Sequence, residues 1–256
     1  MFRTPLIIAH RGDLTHAPEN TLAAFASAIA KGADGIELDV HPTADGELIV
    51  HHFFGLGHTN NGVGLVCERT RAELKALDAG SWFDPKFAGE KLPTLAEVFD
   101  LCKGKCRLEV DMKGSSLKFL QRVIQEVAQF DLADDVELTT DHHALLVHAK
   151  RINPRLRTGT FFYQPPEWMP LRLAQQHALD CAKLFDIQVV HLHTSLITTA
   201  FVDKLHSEGL IAYGSNLETP EDMRACLAHG IDSFSTGNLQ AALMNSGTTP
   251  STKADE

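Results

Sequence analysis

The sequence predicts an α/β fold, a TIM-type (β/α)8 barrel with a small insertion after its third strand. Its 256 residues match the roughly 250 residues that one such barrel needs. Short apolar runs alternate with segments of helical periodicity, which is the pattern of βα units around a parallel sheet. Hydrophobic residues make up 44% of the chain and charged residues 22%, so a large core is possible.

The first elements follow from apolar spacing and helix signals. Leu6–Ala9 is an apolar run and predicts the first strand. Glu19–Lys31 carries apolar side chains at helical spacing, and Asn20–Thr21 can cap its start. Gly35–Val40 is predicted as the second strand and Glu47–His51 as the third.

Residues 53–93 interrupt this alternation and are predicted to be the insertion over one face of the barrel, with one short helix near Arg71–Leu77. The regular pattern then resumes. Later strands are predicted at Cys106–Met112, Val136–Thr140, Arg157–Phe162, Val189–Leu192, Leu210–Tyr213 and Ser233–Thr236, of which the last two compete for the final places. Helices are predicted at Leu95–Leu101, Leu117–Phe130, His143–Arg151, Pro170–Cys181, Thr199–Glu208 and Pro220–His229.

Domain organisation and environment are predicted from the same sequence. Residues 1–245 are expected to form a single barrel domain, and the polar residues 246–256 a flexible C-terminal tail. The net charge of -10 argues against nucleic-acid or anionic-membrane binding. The five cysteines are interpreted as free thiols, and we find neither a signal peptide nor an apolar membrane span. We therefore expect a soluble cytoplasmic protein without stable membrane insertion.

Ionisable side chains collect at the predicted ends of four successive strands. In a TIM barrel the active site lies at the carboxyl-terminal ends of the strands. Side chains two residues apart on a strand share a face, so each group should point toward one region. The groups are His10 and Arg11 after the first strand, Glu37 and Asp39 on the second, His51 and His52 after the third, and Glu109, Asp111 and Lys113 on the fourth.

This set of residues indicates phosphoryl-transfer chemistry. Several buried carboxylates need a compensating cation, and oxygen ligands suit Mg²⁺ or Ca²⁺. Arg11 and Lys113 would face an anion, and the two histidines can exchange protons near neutral pH. The pair His191 and His193 resembles the ligands of zinc hydrolase barrels, but those enzymes carry the pair on their first strand.

Several motifs together resemble the glycerophosphodiester phosphodiesterase family. The resemblance is strong over residues 6–113 and continues more weakly to about residue 240. The motifs are His10-Arg11-Gly12, Pro18-Glu19-Asn20-Thr21, Gly32-Ala33-Asp34-Gly35-Ile36-Glu37-Leu38-Asp39, the strand ending at His52, and Leu92-Pro93-Thr94-Leu95-Ala96-Glu97.

The resemblance implies metal-dependent hydrolysis of a small-molecule phosphodiester to glycerol 3-phosphate and an alcohol, with a possible cyclic intermediate. By position, His10 and His52 match the catalytic histidines. The implied metal ligands are Glu37, Asp39 and Asp111, with Glu109 in reserve; Arg11 and Lys113 would contact the phosphate, and Glu19 would support the site.

This chain departs from the family pattern beside the second histidine. Phe53 replaces an aspartate, His58 an arginine, and Asp111 a longer glutamate. Two alternatives therefore stay open: a lysophospholipase D-like enzyme with an apolar channel, and a non-catalytic barrel that binds phosphodiesters.

Overall fold

The protein, described over residues 5–245 by a computed structural model, has the predicted barrel; the predicted tail, 246–256, lies outside the described residues. The strands are β1 Leu6–His10, β2 Gly35–Pro42, β3 Leu48–Val50, β4 Arg107–Met112, β5 Val136–Thr139, β6 Arg157–Phe162, β7 Val189–Leu192, β8 Ile211–Gly214 and β9 Ser233–Thr236. Eight parallel strands close into a ring because β1 pairs with both β2 and β9. The fold prediction is thus confirmed.

The prediction that residues 47–51 form the third strand of the barrel ring was wrong. β3 is antiparallel to β2, with Val50 opposite Val40, and lies outside the ring as a hairpin partner. The connection between β2 and β3 is only residues 43–47, whereas a parallel crossover needs about a dozen residues. Since β3 is excluded, β8 and β9 both belong to the ring and do not compete.

The helices alternate with the ring strands as expected. They are α1 Leu22–Lys31, α2 Arg71–Ala76, α3 Leu95–Cys102, α4 Leu117–Gln129, α5 His143–Ile152, α6 Leu171–Leu184, α7 Thr199–Ser207, α8 Pro220–Ala228 and α9 Leu239–Asn245. Helix α1 begins later than predicted because Asn20 has a left-handed φ of 55° and Thr21 supplies the cap. Among residues 5–245, no helix is long and apolar enough to cross a membrane.

The insertion between β3 and α3 has a small core of its own. Ile49 of β3 packs there with Val66, Leu74 and Leu92, which are all buried. The main core lies between the ring and the outer helices, where Phe25, Phe99 and Phe234 are fully buried. The insertion is therefore anchored on the hairpin strand, at the carboxyl-terminal end of the barrel.

Gly12, directly after β1 and Arg11, is expected to be required by the fold. Its φ is 93°, and an added Cβ would lie 2.7 Å from Ala24 Cβ and 2.8 Å from the Ala24 carbonyl carbon. Gly32, which ends α1, has a similar φ of 89° with nothing within 4 Å of an added Cβ. We expect Gly32→Ala to cost about 1–2 kcal/mol of unfolding free energy from backbone strain alone. Gly12→Ala should cost about 1–3 kcal/mol more, because the packed helix must move.

Urea unfolding of the two variants measures this difference. Equal losses in Gly12→Ala and Gly32→Ala would contradict the claim that the approach of α1 to Gly12 limits the residue at this position.

Candidate active site

The strand register brings the predicted site residues to one mouth of the barrel. His10 on β1 lies opposite Glu37 on β2. On the other side of β2, Asp39 lies opposite Asp111 on β4. The two neighbouring pairs therefore meet at the carboxyl-terminal ends of β1, β2 and β4, where a TIM barrel carries its active site.

Three carboxylates form the centre of the site. One oxygen from each of Glu37, Asp39 and Asp111 lies within 4.8 Å of the others. Burial, and then the charge of Asp39, raises the pKa of Glu37 well above its usual range. Burial also raises the pKa of Asp111, to about 6, against the opposing charge of Lys113. Three like charges this close fit a hard divalent cation with oxygen ligands.

Two basic side chains neutralise part of this charge. Lys113 Nζ lies 2.9 Å from Asp39 Oδ1 and 2.5 Å from Asp111 Oδ2. Arg11 Nε lies 3.3 Å from Asp39 Oδ2, and Arg11 Nη1 lies 3.5 Å from Glu19 Oε2. Although burial opposes ionisation of Asp39, Lys113 and Arg11 together lower its pKa. Glu19 thus forms a second ion pair with the Arg11 guanidinium, in addition to that with Asp39.

Asn20 is a site residue that sequence reasoning treated only as a helix cap. Its side-chain amide donates to Asp39 Oδ2 at 2.8 Å, and its Oδ1 accepts from the Asp39 amide at 3.3 Å. Both residues are buried. The adjacent Thr21 caps α1, so the left-handed turn at Asn20 aims the amide at the carboxylate. The Asn-Thr pair ahead of the helix was the available signal.

The two histidines lie on the same side of β2, which is the side away from β4. His10 Nε2 lies 3.8 Å from Glu37 Oε2. His52 follows β3, which runs back toward the ring so that the His51 amide donates to the Asp39 carbonyl at 3.0 Å. Burial lowers the pKa of His10 to about 3 and that of His52 to about 4, so both imidazoles are neutral at pH 7. The Nδ1 atom of His52 is buried without a hydrogen-bond partner.

The two departures next to His52 contact each other. Phe53 stacks on His58, with ring centroids 4.4 Å apart and planes at 27°. Phe53 also meets the His52 ring edge-on at 4.6 Å. The replaced aspartate and arginine positions are thus occupied by one aromatic stack, which packs against the second histidine.

Glu109 and His191 lie in a second polar layer inside the barrel. Tyr213 Oη donates to Glu109 Oε2 at 2.6 Å, and His191 bridges Glu109 and Glu137, at 3.5 Å and 2.6 Å. A cavity of about 440 Å³ at the amino-terminal mouth is lined by Glu109, Glu137 and Tyr213. Glu109 therefore contacts Tyr213 and His191 below the carboxylate cluster and is not part of that cluster. His191 contacts these glutamates and does not form a histidine pair with His193.

The barrel and the acidic centre at its carboxyl-terminal mouth define a TIM-barrel enzyme. Residues 10–241 match the model of the Glycerophosphoryl diester phosphodiesterase family. A glycerophosphodiester phosphodiesterase of Caldanaerobacter subterraneus subsp. tengcongensis is 34% identical over 246 residues, which are 93% of this chain and 96% of the relative. One from Bacillus altitudinis is 28% identical over 239 residues, 90% of this chain and 93% of the relative.

A solved structure shares the whole fold. It is an Oleispira antarctica phosphodiesterase in complex with its product sn-glycerol-3-phosphate, with a TM-score of 0.83 and 26% identity over 94% of this chain and 96% of that one. The chain described here belongs to the glycerophosphoryl diester phosphodiesterase family.

The raised pKa of Asp111 predicts how stability varies with pH when no metal is bound. An unfolded aspartate titrates near pH 3.9, whereas the folded pKa is about 6. Between about pH 4 and 6 the folded state binds the proton more tightly, so stability falls as pH rises through this window. We expect Asp111→Asn to show a smaller fall in unfolding free energy over this window and to be more stable than the parent at pH 7.5 by about 2–3 kcal/mol.

Urea unfolding in a chelating buffer at pH 4.5 and 7.5 provides the measurement. Asp203→Asn, which removes an exposed carboxylate on α7, is the matched control and should follow the parent at both pH values. Parallel pH dependence of Asp111→Asn and the parent would refute the prediction.

Proposed function

We propose that this chain is a metal-dependent glycerophosphodiester phosphodiesterase, in which His10 and His52 transfer protons. The observation that carries this proposal is the cluster of Glu37, Asp39 and Asp111 with two histidines beside it, on the side of β2 away from β4. The family match and the product sn-glycerol-3-phosphate in the Oleispira antarctica enzyme support the substrate class. The products would be glycerol 3-phosphate and an alcohol.

The carboxylates would hold Mg²⁺ or Ca²⁺, which both prefer oxygen ligands. A bound divalent cation would neutralise the phosphodiester and stabilise charge in the transition state. Lys113 and Arg11 pair with the same carboxylates that would hold the ion. Once those carboxylates have another cation beside them, Lys113 and Arg11 are freer to donate to the phosphate oxygens.

The imidazoles would carry out the acid–base steps. A neutral imidazole can accept a proton at its free nitrogen, and both rings are neutral at pH 7 in the protein without substrate. One histidine would take the proton of the attacking hydroxyl, which is water or the glycerol hydroxyl of the substrate. The other would be protonated to imidazolium beside the anionic phosphodiester and would deliver that proton to the leaving alcohol. Glu37, 3.8 Å from His10, is placed to orient that ring.

Loss of either histidine is expected to abolish most of the turnover. His10→Asn and His52→Asn should each lower kcat for glycerophosphocholine hydrolysis by about 10²–10⁴, the usual contribution of a general acid or base. His148→Asn is the control, because His148 lies on the outer helix α5. A release assay for glycerol 3-phosphate gives kcat, and near-parental turnover by either site variant would refute the acid–base assignment.

Metal binding is expected to stabilise the protein through the carboxylate cluster. At a concentration about 100 times its Kd, Mg²⁺ or Ca²⁺ should add about 2.7 kcal/mol, visible as a rise in Tm. Glu37→Gln should remove this rise because Glu37 belongs to the cluster. Glu109→Gln should retain it, since Glu109 is engaged by Tyr213 and His191.

Asp111→Asn separates the two candidates for the third ligand, because this variant should also lose the rise. A Tm rise that survives Asp111→Asn but disappears in Glu109→Gln would make Glu109 the third ligand, and turnover in a chelating buffer would overturn the metal requirement.

A lysophospholipase D-like activity is the second candidate. Phe54 is 63% exposed beside His41, and Trp82 of the insertion is 46% exposed. These side chains offer apolar surface near the mouth for a lipid tail. Hydrolysis of lysophosphatidylcholine in preference to glycerophosphocholine would favour this activity, whereas tight binding of both without turnover would indicate a non-catalytic barrel.

A further inference from the structure

Asp141 and Tyr163 form a pair at the mouth of the barrel that the reaction described above does not use. They follow β5 and β6, the two ring strands after β4. Tyr163 Oη donates to Asp141 Oδ2 at 2.9 Å. Both residues are exposed, so the pair faces the open mouth and not the barrel core.

The register places this pair directly beside the carboxylate cluster. Asp111 on β4 lies opposite Thr139 on β5, and Asp141 follows Thr139 by two residues. Neighbouring strands are about 4.8 Å apart, so the loop that begins after Thr139 leaves β5 beside Asp111. The charge of Asp141 contributes to the raised pKa of Asp111, as this placement requires.

Asp141 has no basic partner among the residues that the structure describes. Lys113, at the same level on the neighbouring strand, is paired instead with Asp39 and Asp111. Within residues 5–245, the Asp141 carboxylate therefore has its polar contact with a neutral phenol. The negative charge of Asp141 is therefore available to bind a cation.

The aromatic ring of Tyr163 lies next to this carboxylate, and further aromatic side chains belong to the same strand end and the segment that follows it. Tyr163 is 66% exposed and stacks on Phe161, with centroids 6.3 Å apart and planes at 22°. Trp168, in the same segment between β6 and α6, is 74% exposed. An open aromatic face beside a carboxylate is the arrangement that recognises ammonium groups, and quaternary ammonium in particular.

We propose that Asp141 and Tyr163 bind the ammonium group of the leaving alcohol, which makes alkylammonium diesters the preferred substrates of this chain. This inference rests on the proposed function, because it assumes that the phosphate lies at the carboxylate cluster. Choline and ethanolamine carry their nitrogen two carbons from the ester oxygen, so an ester bound at Asp111 can extend toward the neighbouring strand. A neutral alcohol gains nothing from the unpaired carboxylate.

The test compares three glycerophosphodiesters that share the glycerol phosphate and differ in the alcohol: glycerophosphocholine, glycerophosphoethanolamine and glycerophosphoglycerol. The measured quantity is the ratio of kcat/KM for each cationic diester to that for the neutral one. Asp141→Asn keeps the size of the side chain and its acceptor for Tyr163 but removes the charge. Asp203→Asn on α7 removes a charge from the outside of the barrel and is the control.

Asp141→Asn is expected to lower both ratios by about threefold to tenfold, mainly through KM, as for loss of one partly exposed charge contact. Tyr163→Ala should lower the choline ratio by about twofold to fivefold and the ethanolamine ratio less, because quaternary ammonium depends more on the ring. Tyr163→Phe keeps the ring and should stay close to the parent.

Unchanged ratios in both Asp141→Asn and Tyr163→Ala would overturn the proposal, as would a parent that prefers the neutral diester. If the parent hydrolyses none of the three diesters, the proposed function fails separately. Calorimetric binding of glycerophosphocholine and glycerophosphoglycerol to the same variants then decides the ammonium site without turnover: weaker choline-diester binding in Asp141→Asn supports it, and equal binding refutes it.

Discussion

The repulsion among Glu37, Asp39 and Asp111 is the constraint around which the mouth of this barrel is arranged. Their oxygens lie within 4.8 Å, and burial deprives them of the water that would screen their charges. Lys113, directly after β4, and Arg11, directly after β1, offset this repulsion. A cluster that is this costly without a cation is poorly suited to stability alone, and therefore indicates a binding site.

The hairpin of β2 and β3 brings the second histidine to that cluster. A ring strand delivers only the side chains at its own end, and β2 already carries two of the carboxylates. Because β3 runs antiparallel to β2, the chain returns to the level of Asp39 and leaves His52 beside it. The insertion then packs on Ile49 of the same strand. The position of His52 thus depends on a hairpin and its small core, and the position of His10 depends on the ring.

The difference between local and non-local signals decides how much was predictable from the sequence. Apolar runs and the two-residue alternation predict β1, β2 and β4, together with the carboxylates they carry, because these signals are local. The antiparallel direction of β3 was also predictable in principle, since residues 43–47 are too few for a crossover. The contact of Asn20 with Asp39 depends on a left-handed turn and on the approach of a neighbouring strand. Such a contact has no periodic signature in the sequence.

The mouth has two unlike sides, and this asymmetry bears on how a substrate would lie in it. Around β1 and β2 the half-buried side chains are a guanidinium and two imidazoles, at Arg11, His10 and His52. Beyond β4 the side chains are acidic and aromatic, at Asp141 and Tyr163. A phosphodiester with a cationic alcohol has the matching order of charges, with its anion at the centre and its cation at one end. A single orientation of such a molecule satisfies both sides, whereas a neutral diester has no end that the acidic side prefers.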